Sequence, residues 1–418
     1  MSAAARIAAL LATTCAACAR PPRAPEVEVA EVRGLWVVRH TLAHRDSVRA
    51  MVRRAAAAGF NTLIVQVRGR GDAYYRGRWE PPPPALAGNR RYDPLALTIR
   101  EARRRGLRVH AWVNTHLVAN ADTLPLDSAH FVYRRPDLLA VPRALARELY
   151  PADPRDPRYL EALRAYARDN RDHVEGLYAS PAAPEVKEHL YSIWMDLLER
   201  YRLDGLHFDY VRYPGPDYDY SRVALERFRD WLAPHLPDSV RGRLAQLEAA
   251  DPLVYTDSFP GAWDRFRRLQ ITELVERVYH AVKKRRPGVL VSAAVFADAA
   301  DAEARRFQEW REWLRRGWLD VACPMAYTDS LPLFRERIQS ALEAAGGGAR
   351  VWAGIGAYRN TVDGTASQVA VARELGAAGV VLFSYDFMAR QPGPAPETSY
   401  LRAVSRQAFP APQEPPNR

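Results

Sequence analysis

From residue 33 onward the chain repeats one pattern, a short apolar run followed by a longer amphipathic stretch. Strands are predicted at 33–39 (RGLWVVR), 60–67 (FNTLIVQV), 107–113 (LRVHAWV), 204–211 (DGLHFDYV), 289–296 (VLVSAAVF), 319–326 (LDVACPMA), 351–357 (VWAGIGA) and 379–385 (GVVLFSY). Helical stretches lie between them at 45–58, 94–105, 185–202, 263–285, 303–316, 331–345 and 365–378. Several close on a glycine, such as Gly59, Gly106 and Gly317, which takes the left-handed turn after a helix without steric cost. Strands alternating with helices specify a parallel sheet. Eight such units specify closure, so the expected fold is α/β, a (β/α)₈ TIM barrel over 31–404.

The spacing is uneven in two places. Residues 114–183, rich in Pro, Asp, Arg and Tyr, and residues 212–262 are too long for single crossovers, so enlarged loops are expected after strands three and four. Loops that follow barrel strands build the active site, and enlarged ones imply an extended cleft. The proline-bearing tail, 405–418, is expected to be disordered.

The amino terminus reads differently. Arg6 precedes an apolar segment from Ile7 to Ala17, too short to span a bilayer and the right length for a signal-peptide core. Ala16 and Ala17 stand directly before Cys18, as lipid attachment at that cysteine requires, although Cys15 occupies the place usually held by leucine. The expectation is a signal peptide over 1–18, a linker over 19–30, and an exported, membrane-anchored protein of the cell envelope. Beyond Cys18 only Cys323 remains, so no internal disulfide can form and the core alone must stabilise the domain.

Charge changes this picture little. The formal net charge of +11 comes from arginines scattered through helical stretches such as 100–105, which reads as solvated helix faces and implies no nucleic-acid partner.

The strand ends carry the candidate chemistry. In DGLHFDYV a period of two puts Gly205, His207 and Asp209 on one face and Leu206, Phe208 and Tyr210 on the other. With the apolar set against the helices, His207 and Asp209 point into the barrel. A carboxylate there is costly unless paired or used, and Arg212, Tyr213 or His207 would be its hydrogen-bond partner. Strand two ends with Gln66, Arg68, Asp72 and Tyr74, strand three with His110, Trp112, Asn114 and His116, strand six with Tyr327 and Asp329, and strand eight with Ser384 and Asp386. Aromatic rings stack on sugar faces, and amides, arginines and carboxylates bind hydroxyls, so this rim suits a carbohydrate. Other chemistries fit poorly. His110, His116 and His207 lack metal-ligand spacing, a serine-nucleophile elbow and a P-loop are absent, and GRG at 69–71 is no dinucleotide fingerprint. No metal or cofactor is implied.

RGLWV at 33–37, GFNTLIVQVRGRGDAYY at 59–75, DPLALTIREARRRGLRVHAWVN at 93–114, PEVKEHLYSIWMDLLERYRLDGLHFDYVRYP at 184–214 and WLDVACPMAYTD at 318–329 together resemble glycosyl-hydrolase-like family ten. The similarity spans most of 30–390. It implies a (β/α)₈ barrel and glycoside hydrolysis, with members that are bacterial envelope lipoproteins cutting peptidoglycan glycan strands stripped of their peptides. It places the family's strand-four aspartate on Asp209, its strand-three asparagine on Asn114, and its strand-two arginine and aspartate on Arg68 and Asp72. Many members carry a second aspartate where this chain has Tyr210.

The expected enzyme therefore works with Asp209 at the anomeric centre, as nucleophile or base, and a second carboxylate protonating the leaving oxygen. Asp329 is the first choice for that acid, with Asp72, Asp298 and Asp386 as rivals. A separation of about 5–5.5 Å between the two carboxyls would imply retention and about 6.5–9.5 Å inversion. On an N-acetylated sugar the substrate's own acetamido group is an alternative nucleophile, with Asp209 as its stabiliser. Arg68, Asp72, Trp112, Asn114, His207, Arg212, Tyr213 and Tyr327 are the expected substrate contacts, with Trp112 or Tyr327 as the stacking ring nearest the reaction. The contrasting expectation is a glycan-binding protein on the same barrel that has lost the chemistry.

Overall fold

Alternation along each strand sorts the barrel's side chains into two populations, and the two sets fill different cores. The computed structural model describes residues 31–89, 91–391 and 399–409. Its eight parallel strands are β1 (Val32–Val37), β2 (Thr62–Arg68), β3 (Arg108–Asn114), β4 (Gly205–Asp209), β5 (Leu290–Phe296), β6 (Val321–Met325), β7 (Trp352–Gly356) and β8 (Gly379–Phe383). They pair in sequence order and close, β8 returning to β1. Every strand read from the sequence is present, within a few residues of its expected bounds.

Residues facing out, such as Leu35, Leu63, Val65, Val109, Phe208, Val291 and Ile355, merge with the inner stripes of the helices into one large apolar layer. The inward set is smaller and more aromatic: Trp36, Ile64, Trp112, Ala294, Val321, Cys323, Trp352 and Val381. Large rings in so narrow a space need small neighbours. Gly205 on β4 provides one, since a Cβ there would lie 2.3 Å from Nδ1 of His110, whose ring also leans on Trp352. Cys323 is buried in this interior as a free thiol.

The enlarged loops are real but unequal. The first sends out a ribbon in which Leu117–Ala119 pairs with Leu177–Tyr178, and the helices Phe131–Arg134, Arg143–Leu149 and Pro157–Asp169. The second folds the helices Arg222–Leu232, Asp238–Glu248 and Val254–Ser258 around a satellite core of Phe228, Trp263 and Phe266. It is held by the buried Arg267, whose guanidinium bonds the carbonyls of Pro216 and Tyr218.

Three expectations need correction. The helix expected at 303–316 is two, Ala299–Arg306 and Trp310–Arg315, separated where Phe307 adopts a left-handed φ of 55° and drops its ring onto Tyr213. Strand four ends at Asp209, because Tyr210 also has a left-handed φ, 49°. Order persists past 405: the helix Tyr400–Ala408 packs on the barrel, Ser405 Oγ donates to the Ala58 carbonyl at 2.8 Å, and Phe409 meets Phe60 edge to face. The readings at Cys15 and Cys18, the linker to residue 30 and the tail after 409 lie outside the described residues. The arginine-rich helix faces carry surface ion pairs, such as Arg335 with Glu374 and Arg315 with Glu312.

Gly205→Ala should lower the unfolding free energy by about 1–3 kcal/mol or more, because the added methyl overlaps the His110 ring. Denaturant titration of Gly205→Ala, His110→Ala and the double variant checks this. The methyl should cost less once the ring is gone, a coupling that independent sites do not show.

Candidate active site

At the carboxyl ends of the strands lies a cavity of about 470 Å³. Its polar lining is Arg39, Gln66, Arg70, Asn114, Glu175, Asp209 and Arg212, and its apolar lining includes Trp36, Trp112, Tyr210, Phe296, Tyr327, Tyr358 and Phe383. The barrel geometry delivers these groups: β3 and β4 pair in register with Asn114 beside Asp209 and Trp112 beside His207, so inward residues of the two strands share one layer.

Asp209 sits at the floor and is 9% exposed. Its Oδ2 accepts the Trp112 indole N–H at 3.0 Å and its Oδ1 accepts the Tyr210 backbone N–H at 2.7 Å. Burial pushes its carboxyl up to about 6, against the opposing pull of the Arg212 charge and of these two donors, and the negative charge of Glu175 adds to the rise. Trp112 is only 4% exposed, which leaves little ring face for a sugar. Its N–H is shared between Asp209 and Asn114 Oδ1 at 2.9 Å, so it holds the carboxyl rather than stacking on substrate. Asn114 also accepts from Gln66 Nε2 at 3.2 Å and donates to the Gly69 carbonyl at 2.8 Å.

The second carboxylate in the cavity is Glu175, from the first insertion. It precedes the ribbon strand Leu177–Tyr178, and Gly176 between them runs so close to the opposite strand that a Cβ would lie 2.1 Å from the Ala119 carbonyl oxygen. Arg212 Nη2 donates to Glu175 Oε1 at 2.7 Å, and the Tyr178 hydroxyl donates to Oε2 at 2.6 Å. Partial burial works against ionisation, but Arg212 and Tyr178 outweigh it and hold Glu175 below the usual carboxylate range. Its side chain is 35% exposed, on the cavity wall. Arg212 itself is buried, its guanidinium over the rings of Tyr210 at 4.6 Å and Phe296 at 5.2 Å. Tyr327, stacked on Phe383 at 5.7 Å and edge-on to Trp36, forms the aromatic wall with the exposed Tyr358.

Of the residues expected from sequence, Asp209, Trp112, Asn114, Arg212 and Tyr327 converge here, and the others do not. Asp329 is exposed just before the helix Leu331–Ala345 and is absent from the cavity lining. The rival acids are occupied elsewhere: Asp298 caps the helix Ala299–Arg306, and Asp386 binds the Val38 N–H and the Thr41 hydroxyl. Asp72 accepts the Arg70 backbone N–H and lines an adjoining groove. His207 lies one layer below, accepting from Trp36 Nε1 at 3.2 Å and facing Ser292 Oγ at 2.9 Å, and burial holds it neutral. It neither hydrogen-bonds Asp209 nor lines the cavity. Tyr213 is buried against Phe307. Arg68 is turned out of the cleft by a register irregularity between Gln66 and Arg68: Gln66 keeps the inward phase of Ile64 and lines the cavity, whereas Arg68 meets Glu80 at 2.6 Å. It also bonds the carbonyls of Asn114 and Thr115, tying β2 to the end of β3.

Sequence reasoning missed Glu175, Arg39 and Arg70, and placed Tyr210 on the wrong face. The left-handed φ of Tyr210 returns its ring to the cavity. Glu175 had one signal, an acid beside a glycine inside the apolar stretch VEGLYAS.

Residues 31–347 match the family described as glycosyl hydrolase-like 10. The glycosyl hydrolase DigH of Escherichia coli K12 is 25% identical over 348 residues, covering 74% of this chain and 68% of that protein. The glycosyl hydrolase YngK of Bacillus subtilis is 25% identical over 290 residues, 64% of this chain and 46% of that protein. Among solved structures, the glycoside hydrolase domain of PgaB (BpsB) from Bordetella bronchiseptica superposes with a TM-score of 0.58 at 16% identity, over 87% of this chain and 96% of that domain. The catalytic domain of a Paenibacillus polymyxa β-amylase gives 0.55 at 12% identity, over 90% and 98% of the two chains, a likeness of fold.

The placement of Arg68 is testable. Glu80, held down to about 2 by Arg68 and His189 despite the opposing effect of burial, is its buried counter-charge. Glu80→Gln should cost about 3–5 kcal/mol of stability by leaving the guanidinium uncompensated. Thermal or denaturant unfolding measures this, and the stability due to Glu80 is full above its unfolded pKa of about 4.3 and lost as pH falls through 2.

Proposed function

The chain belongs to the glycosyl hydrolase-like 10 family and is a glycoside hydrolase, and we propose that its reaction is carried by Asp209 and Glu175 acting in opposite protonation states. The observation behind this is the pair itself: one buried carboxyl that keeps its proton to about pH 6, and one ionised carboxylate held by Arg212, lining the same aromatic-walled cavity. Glycosidases need such a division, an acid for the leaving oxygen and a negative charge for the positive character that develops at the anomeric carbon. Asp209 gives its proton to the glycosidic oxygen. Glu175 faces the anomeric centre, its position fixed by Arg212 and Tyr178.

The substrate is a cell-envelope polysaccharide, in the first instance peptidoglycan glycan strands freed of peptides. Tyr327, Tyr358 and Phe383 offer the faces on which sugar rings pack. The amino-terminal stretch ending at Cys18 would export the enzyme to that substrate and anchor it at the membrane. Cys18→Ser should then move the protein from the membrane fraction to the soluble one, and Cys15→Ser should not.

A reducing-end assay on purified glycan strands, with and without stem peptides, tests the reading. Asp209→Asn should lower turnover by at least about two orders of magnitude with the fold retained. Near-normal turnover in that variant refutes the role of Asp209.

The pH profile gives a finer check. Activity should require Glu175 ionised and Asp209 protonated, so kcat/KM falls on the alkaline side with a midpoint near 6. Glu175→Gln removes a negative neighbour and should move that alkaline midpoint down, besides lowering the rate. Trp112→Phe removes a donor to the carboxylate and should move it up. Shifts of the same sign in both variants would exclude Asp209 as the titrating acid.

A further inference from the structure

Beside the reaction cavity lies a second groove of about 470 Å³, walled by Pro81 to Pro84 and by residues 123–127. Two residues line both spaces, Arg39 and Arg70, so their side chains stand at the boundary between them. Neither has a carboxylate within ion-pair distance among the described residues, whereas the buried Arg68, Arg212 and Arg267 pair with Glu80 at 2.6 Å, Glu175 at 2.7 Å and Asp264 at 2.5 Å. Arg39 Nη1 donates to the neutral amide of Gln66 at 3.2 Å, and its other near partner is the neutral hydroxyl of Tyr74. The Arg70 guanidinium has no hydrogen-bond partner among the described residues, and its Nε is buried without one. The acid beside them, Asp72, turns Oδ1 to the Arg70 backbone N–H at 2.8 Å. Partial burial and the neighbouring Arg39 charge both disfavour the Arg70 cation. The fold thus holds two like charges side by side where the two spaces meet, with Asp72 nearby but no carboxylate in an ion pair with either guanidinium among the described residues.

We propose that Arg39 and Arg70 form a carboxylate-binding subsite that selects acidic glycan chains, reading a carboxyl borne by a sugar at the entrance to the second groove. A guanidinium fork matches a carboxylate in shape and charge, and a partly dehydrated site strengthens the match. This rests on the reading of the protein as a hydrolase of peptide-free glycan strands and deepens it. In such strands each muramoyl unit ends in a free lactyl carboxylate. With a stem peptide attached, that carboxyl is an amide, without charge and with bulk behind it. The arginine pair would distinguish the two, and with them would set the preference for stripped strands.

The test uses a muramic-acid-containing oligosaccharide and its methyl ester, which differ in the one charge. Binding is measured by calorimetry to the full-length protein in an Asp209→Asn or Glu175→Gln background, with folding checked by melting. The acid should bind at least about tenfold more tightly than the ester, and the ratio should shrink with added salt. Arg70→Gln, and separately Arg39→Gln, should reduce the ratio to within about twofold, chiefly by weakening the acid. Equal binding of acid and ester to the protein with both arginines intact overturns the proposal without recourse to any arginine variant, and so does a preference that survives both substitutions. Should the preference and its loss be observed while the unmutated enzyme cleaves no glycan strand, the subsite stands and the proposed reaction fails.

Discussion

Arg212 is the interaction on which the site turns. Its guanidinium is buried, clasped between Tyr210 and Phe296, and so has little water to satisfy it. Glu175 supplies the counter-charge at 2.7 Å and is thereby kept ionised, and the same positive charge tempers the rise in the Asp209 carboxyl. Without Arg212 two carboxyls in a partly dry cavity would compete for one proton. With it they separate, Glu175 below the usual carboxylate range and Asp209 above it. An ion pair of this kind adds little net stability, since its desolvation offsets most of its attraction. Its contribution is to set charge states.

The barrel beneath makes that arrangement rigid. Trp36, His207 and Ser292 form a hydrogen-bonded layer under the cavity, and Trp112 rises from the same interior to donate to Asp209. The left-handed backbone at Tyr210 is unusual for an aromatic residue and is sustained by its surroundings: its N–H binds Asp209, its carbonyl accepts from the His116 N–H at 3.2 Å, and its ring lies against Arg212. One local strain therefore orients both the acid and the cation.

The fold was legible because its signals are periodic. Eight apolar runs at strand length, separated by amphipathic stretches, leave few architectures, and the period of two correctly turned His207 and Asp209 inward. The site was legible only where it obeys the same period. At Gln66–Arg68 a shifted register exchanges the two faces, so a residue expected in the cleft lies behind it. Tyr210 departs through its φ, which no alternation encodes. Asp329 failed because β6 ends at Met325 and the chain has left the rim four residues later. Glu175 was invisible for a different reason: its location depends on a ribbon between segments about sixty residues apart, a tertiary fact without a local pattern.

That ribbon carries a consequence for how activity and fold are coupled. One of the two carboxylates proposed for the reaction belongs to an excursion between β3 and β4, positioned by strands of three and two residues, Leu117–Ala119 and Leu177–Tyr178. A slip of one place in so short a pairing would invert which side chains face the cavity. Closing this loop also brings together distant points of the chain, a step with an entropic cost separate from forming the barrel. The eight strands and the catalytic constellation are therefore different achievements of the same chain. A change within the excursion can silence or retune the proposed chemistry while the scaffold persists.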